Sequence, residues 1–338
     1  MKKTKALSLL LSLLLLLYSL TLPLLAVDAE TAADPEQTQT DSADAPAEDD
    51  SVPEDRLLSS RTSFSVAAKA ALLIDLNTGR AVYEQDADER VYPASLTKIM
   101  TCLLALENGN LSDVVTVSAS ALDDLDADSS VAGLQVGEQM TLENLLYGML
   151  LESGNDAAYT VAVHTARAAF PAEKLTDKRA VQRFCELMNR YAANIGMTNS
   201  HFSTPDGWDD KAQYTTARDL LTLTQRVLEI PELAAIAGTA RRQVALSSGY
   251  TITWKNSNLL LQKSSRYYDP RVTGLKTGTT DRAGNCLIAC AAQGERRIIT
   301  IVLGCSTDRQ RYTMTKKLLE SALGAAPTTQ QSRTGGQK

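Results

Sequence analysis

The sequence predicts an α+β fold in which an antiparallel sheet, flanked by helices, carries an inserted all-helical lobe. Strand-like segments open the folded region, helical apolar spacing fills its middle, and strand-like segments return before one closing helix. Residues 70–75 and 80–84 read as a hairpin around Asn77-Thr78-Gly79, because Asn and Gly accept the positive φ of tight turns. Residues 95–107 place Leu96, Ile99, Met100, Leu103 and Leu104 on a helical repeat that stops at Asn108-Gly109. Further helices are predicted over 141–152, 156–169, 181–195 and 216–228. Strands are expected after Pro231, over 243–246, 250–254, 272–277, 286–292 and 297–303, and a helix over 309–323 closes the order. A sheet built from both ends of the domain puts the cleft between sheet and lobe, where functional residues are expected.

With 338 residues, 44% of them apolar, the chain has enough material for a sizeable core. The net charge of -6 is mild and gathers between Asp28 and Asp55, so nothing suggests nucleic acid. Lys2, Lys3 and Lys5 precede an apolar run from Ala6 to Leu17 that continues to Val27, with small residues at Ala26 and Ala29. Residues 1–29 therefore read as a cleaved signal peptide and the protein as exported. An uncleaved anchor is the alternative, since about 20 apolar residues span a bilayer. Residues 30–61 are acidic and poor in apolar side chains and are expected to be a disordered linker. Residues 62–324 then form the folded domain and 325–338 a polar tail.

Five cysteines leave at least one unpaired within a chain. Cys286 and Cys290 would share one strand face, and no Cys or His spacing suits zinc, so the cysteines read mainly as small buried hydrophobes and no metal or cofactor is expected.

Three short signals carry chemistry. Ser95 lies at a helix start, where unpartnered backbone N–H groups and the positive dipole end can hold an oxyanion. Lys98 follows three residues on, on the same face, and can act as a base only if burial or a nearby cation lowers its pKa. Ser153-Gly154-Asn155 falls between two helices, where a hydroxyl and a carboxamide can project into the cleft. Lys276-Thr277-Gly278 lies on a strand whose glycines admit a substrate backbone, and Lys276 supplies the second cation. Each signal alone has a plain reading: a helix cap, an interhelical loop and a strand end. Their joint order is what an active-serine enzyme requires. A Ser-His-Asp mechanism fails on inventory: His164 falls in a helical pattern, His201 opens a Pro-Gly loop where it is expected to bond backbone, and no serine has a nucleophile-elbow context.

Ser95-Leu96-Thr97-Lys98, Ser153-Gly154-Asn155 and Lys276-Thr277-Gly278 together resemble the three motifs of the penicillin-recognising active-serine enzymes. The closer resemblance is to the low-molecular-mass penicillin-binding proteins of the D-alanyl-D-alanine carboxypeptidase family. It extends through LLYGMLLESGNDAA, NIGMTNSHFSTPDGWD, KNSNLLL and GLKTGTTDRAGNCL, from about Ala68 to Leu323. The resemblance implies that Ser95 attacks the carbonyl between two D-alanines of a peptidoglycan stem peptide while Lys98 takes its proton. It implies an oxyanion held by the amides of Ser95 and Thr279, a proton relay through Ser153 and a substrate amide held by Asn155. It also implies that Lys276 bonds Ser153, that Thr277 helps bind the terminal carboxylate, and that β-lactams acylate Ser95. Arg311 falls where such enzymes place a carboxylate-binding arginine. Many members continue into a β-rich domain and a membrane-binding amphipathic helix, so here any membrane association is expected through the N-terminal segment only. Two rival readings are a class A-like β-lactamase, for which Glu173 is the available deacylating glutamate though its flanks do not match, and a non-catalytic β-lactam or cell-wall-binding protein.

Overall fold

A first strand paired with a last strand is the feature that closes the domain. The computed structural model describes residues 64–123 and 125–327. The predicted export segment, the acidic linker and all but residues 325–327 of the tail lie outside the described residues. Strands β1 (Ala70–Asp75) and β2 (Ala81–Gln85) form the expected antiparallel hairpin, with Ala71 opposite Gln85 and Leu73 opposite Tyr83. Its turn is fixed by the Asp75 carboxylate, which accepts from the amides of Asn77 and Thr78 at 2.9 and 3.2 Å, and by Gly79 at φ +70°.

Short hairpins β3 (Val114–Thr116) with β4 (Gln139–Thr141) and β5 (Arg241–Ala245) with β6 (Thr251–Lys255) stand apart from the main sheet. Strands β7 (Val272–Thr280), β8 (Gly284–Gln293) and β9 (Arg296–Cys305) complete it in the order β2-β1-β9-β8-β7, antiparallel throughout. β7 is therefore an edge strand. Ala70, Leu72, Ile74, Cys286, Ile288 and Cys290 point into one core and Ala71, Leu73, Leu287, Ala289 and Ala291 into the other, as the two-residue period of a strand requires. Both faces are covered, which is why these strands read as near-continuous apolar runs. All five cysteines are unpaired, and four of them are buried.

Between β2 and β7 the chain builds the helical lobe. α1 (Lys98–Asn108) has every residue from Lys98 to Ala105 buried, the mark of a central helix. After the single turn α2 (Ser120–Asp123) come α3 (Leu142–Leu151), α4 (Asn155–Ala169), α5 (Asp177–Asn194) and α6 (Ala217–Leu228). The hydroxyls of Thr141, Thr176 and Thr216 cap α3, α5 and α6. The sequence reading missed α7 (Pro231–Gly238), taking Pro231 as a return to strands. Proline at the first helical position costs no hydrogen bond, so it opens this helix instead of barring it. α7 abuts β7: a Cβ on Gly238 would lie 2.3 Å from the Thr273 carbonyl. α8 (Asp308–Leu323) covers the other sheet face behind a Thr307/Gln310 capping box. Among the described residues no helix is long and apolar enough to cross a membrane.

One buried ion pair fastens the start of β7 to the end of α8. The Arg271 guanidinium donates to both Asp269 oxygens at 3.0 and 2.8 Å and to the Gly324 carbonyl at 2.7 Å, with side-chain exposures of 3% and 0% for the pair. Removing one partner strands the other charge in a dry interior, which typically costs about 3–5 kcal/mol. Asp269→Ala is expected to lose that much in denaturant unfolding, and the double variant Asp269→Ala/Arg271→Met to recover part of it. A loss under about 1 kcal/mol would mean that water reaches the pair.

Candidate active site

Ser95 belongs to a tight 3₁₀ turn, Ala94–Thr97, that leads directly into α1, rather than to the first α-helical turn the spacing predicted. Ala94, just before it, has φ +49°, and Ser153 has φ +61°. These are two of only three non-glycine residues with positive φ among the described residues. Strained backbone of this kind persists where the surroundings over-determine it. Ser95 is not acting as a cap: its Oγ lies 2.9 Å from the Lys98 Nζ, one turn on.

Lys98 is fully buried, and its Nζ reaches two further acceptors, the Asn155 Oδ1 at 2.7 Å and the Asp206 carbonyl at 2.8 Å. Asn155 opens α4 and is held on its other side, its Nδ2 donating to the Ser129 Oγ at 3.1 Å and its backbone N–H to the Ser130 carbonyl at 2.8 Å. The Oδ1 is thereby aimed at Lys98. Glycine at 154 is required by this loop, since a Cβ there would sit 2.7 Å from the Ala132 amide. Next along, the buried Asp156 carboxylate accepts from the amides of Ala132, Gly133 and Leu134 at 2.7 to 2.9 Å and fixes the loop against the helix.

From the sheet side, the Lys276 Nζ donates to the Ser153 Oγ and to the Thr277 carbonyl, both at 2.9 Å. Gly278 presses on the Ser95 turn: a Cβ would lie 3.1 Å from both the Ser95 amide nitrogen and the Ala94 Cβ. The Thr277 Oγ1 is 2.7 Å from the Ser257 Oγ. Arg311, in the first turn of α8 and nearly buried, donates through Nη1 to the Thr279 Oγ1 at 2.8 Å and to the Gly278 carbonyl at 3.1 Å, with Asp308 on its other nitrogen. Ser95, Lys98, Ser153, Asn155, Lys276, Thr277, Gly278, Thr279 and Arg311 thus form one linked cluster where lobe and sheet meet.

Burial lowers Lys98 to about 8, against the opposing pull of Asp206 and Asp156. Lys276 is pushed well below the usual lysine value, first by burial and then by the charges of Lys98 and Arg311. The sequence reading left two causes open for a depressed Lys98, burial or a neighbouring cation. Burial is the cause at Lys98, and the repulsion between the cations weighs on Lys276. Two amines in one dry pocket do not both stay charged without cost.

The rival groups lie elsewhere. His164, on α4, has its Nε2 3.5 Å from the Asp113 carboxylate, and the His201 Nδ1 pairs with the Ala212 carbonyl at 2.9 Å, the backbone bond expected of it. Glu173 is half-exposed and paired with Arg183 at 2.6 Å. Among the described residues no group of three or more His, Cys, Asp or Glu side chains could hold a metal ion. Sequence reasoning gave no role to Ser257, to Ser129 or to the Asp206 carbonyl. Ser257 lies in KNSNLLL, a segment already singled out, but a backbone carbonyl leaves no trace in residue type.

Comparison with known proteins agrees with this geometry. The family model described as D-alanyl-D-alanine carboxypeptidase matches residues 58–307. D-alanyl-D-alanine carboxypeptidase DacC of Escherichia coli is 37% identical over 264 residues, covering 75% of this chain and 61% of that protein. DacF of Bacillus subtilis is 32% identical over 270 residues, covering 77% of this chain and 63% of its own. The chain therefore spans about three-fifths of the length of these relatives. The crystal structure of a Streptomyces DD-transpeptidase superposes with a TM-score of 0.71 at 30% identity, covering 78% of this chain and all of that one. Penicillin-binding protein 5 of Haemophilus influenzae gives a TM-score of 0.65 at 33% identity, covering 77% and 71%. With an antiparallel sheet, an inserted helical lobe and the linked serine and lysine pairs at their seam, the chain belongs to the D-alanyl-D-alanine carboxypeptidase family of serine peptidases.

Proposed function

We propose that the protein is a serine-type D-Ala-D-Ala carboxypeptidase that removes the terminal D-alanine from peptidoglycan stem peptides through a Ser95 acyl-enzyme. The observation that carries this reading is the set of partners of Lys98. A neutral amine has two N–H bonds and one lone pair. With Asn155 Oδ1 and the Asp206 carbonyl taking the two N–H bonds, the lone pair is left for the Ser95 hydroxyl at 2.9 Å. Burial makes the neutral form accessible near physiological pH.

In this reading the Ser95 Oγ bonds to the carbonyl carbon as its proton moves to Lys98. The amides of Ser95 and Thr279 hold the oxyanion, consistent with the close approach of Gly278 to the Ser95 turn. The carbon–nitrogen bond then breaks, and the proton reaches the leaving D-alanine nitrogen through Ser153, whose hydroxyl is oriented by Lys276. Water attacks the ester and frees Ser95. The edge position of β7 supports antiparallel docking of the peptide backbone, since an edge strand offers unpaired N–H and C=O groups. Asn155 holds a substrate amide, and Arg311 with Thr277 receives the terminal carboxylate. β-Lactams acylate Ser95 by the same attack. The protein works outside the cytoplasm, at the cell wall or the outer face of the cytoplasmic membrane of a bacterium, exported by its N-terminal segment.

Two outcomes test this. Wild-type protein is expected to release D-alanine from a stem-peptide mimic and to gain one penicilloyl mass on Ser95, and Ser95→Ala to do neither; undiminished release by that variant would overturn the assignment. The rate of penicillin acylation should rise with pH to a midpoint of about 8, because only the deprotonated Lys98 accepts a proton. Lys98→Ala should abolish that rise while His201→Ala keeps it, and equal loss in both would restore a histidine mechanism.

A further inference from the structure

The carbonyl that takes one N–H of Lys98 belongs to a loop, and the loop is fastened at both ends of the site. Its near end is tied to α1: the Thr101 Oγ1 donates to the Pro205 carbonyl at 2.6 Å and Lys98 to the Asp206 carbonyl at 2.8 Å. Its middle lies on the nucleophile turn, for a Cβ on Gly207 would stand 1.9 Å from the Ala94 carbonyl oxygen, and Gly207 itself has φ +92°. Its far end is tied to the sheet through a single side chain. The Asp209 carboxylate accepts from the Thr280 hydroxyl at 2.7 Å and from the Arg282 amide at 3.0 Å, one oxygen to each. Residues 205–209 thus form a strap across the turn that carries Ser95, from the helical lobe to the end of β7.

We propose that Asp209 is a positioning residue for Lys98: by clamping the strap to Thr280 and Arg282 it holds the Asp206 carbonyl on the amine, so that the lone pair faces Ser95 and water stays out. This rests on the reading of Lys98 as the base. Asp209 touches neither of the reacting residues and contributes only through backbone placement. Free at its sheet end, the strap would let the carbonyl drift, and a displacement on the order of 1 Å at such a site costs about 10²-fold in rate. It would also admit water to an amine whose lowered pKa comes first from burial. The charged and titratable groups around Lys98 are Asp206 on the strap, Asp156 on α4, Cys102 on α1 and Lys276 on β7, and loss of the Asp209 carboxylate changes none of them chemically.

The test is the pH profile of penicillin acylation in the full chain. Asp209→Ala is expected to lower the acylation rate about 10- to 100-fold and to move the rising limb to higher pH. Asp209→Asn and Thr280→Ala, which each spare part of the clamp, should fall between it and wild type. Asp209→Ala/Thr280→Ala should be no slower than Asp209→Ala, because both changes break one clamp. A wild-type rate in Asp209→Ala, a loss with the limb unmoved, or additive losses in the double variant would each overturn the proposal. Should wild-type protein itself resist acylation, the reading of Ser95 fails separately. The strap is then judged by NMR titration of the Lys98 Nζ, which must shift upward in Asp209→Ala and by no more than experimental error if the proposal is wrong.

Discussion

A fully buried amine with three oxygen partners drawn from three separate parts of the chain is the constraint on which the site depends. Lys98 lies on a helix buried from Lys98 to Ala105, and its three polar partners come from the 3₁₀ turn, from the start of α4 and from the 205–209 strap. None of these is adjacent to another in sequence. Any rearrangement that opens the lobe, lifts the strap or tilts α1 therefore acts first on this nitrogen. Burial of a lysine is unfavourable to the fold, since the folded state then binds protons less readily than the unfolded chain. The surrounding core, apolar along nearly the whole length of α1, is what offsets it.

The sheet contributes the other half of the site by ending where it does. β7 is bordered on one side by β8 and on the other by α7 near its start, which leaves the edge from Lys276 onward facing the seam. Lys276 and Gly278 then share the strand face turned to the lobe, one reaching Ser153 and the other pressed on the Ser95 turn. The intervening Thr277 and Thr279 meet Ser257 and Arg311. A two-residue period thus sorts one short segment into two jobs, contact with the Ser95 and Ser153 side and contact with the helix that carries the guanidinium.

Much of this was legible in the sequence, for a reason that differs by residue. The core strands announced themselves because both faces of the sheet are covered, and the helices because their apolar residues recur at helical spacing, although the Thr176 cap went unread and α5 was expected to begin at 181 instead of 177. α7 was not legible: it has only eight residues, and Pro231 signals a break as readily as a start. Within the site, the three motifs named the hydroxyls and amines of Ser95, Lys98, Ser153 and Lys276 that the fold brings together. They could not name the Asp206 carbonyl, because a backbone group has no residue type, nor Asp209, whose contribution depends on a contact 71 residues away. The electrostatic assignment also needed coordinates. Residue identity shows that two lysines are present, but only depth of burial decides that desolvation outweighs their repulsion at Lys98.

Glycine shows the same limit from another side. Gly154, Gly207 and Gly278 look like ordinary loop or strand punctuation, yet at Gly154 and Gly207 a neighbouring backbone passes closer than a Cβ allows, and at Gly278 a Cβ would be in tight contact with the Ser95 turn. Gly154 admits the loop that positions Asn155, Gly207 lets the strap cross the Ser95 turn, and Gly278 brings β7 against the Ser95 amide. The strained residues sit among them: Ala94, between Gly207 and Gly278, and Ser153, beside Gly154. Strain at these two positions is sustained where neighbouring backbone closes on them, at Gly154 and Gly207 more closely than any side chain would allow. The reactive groups supply the chemistry, and their spacing is set by residues that have no chemistry to offer.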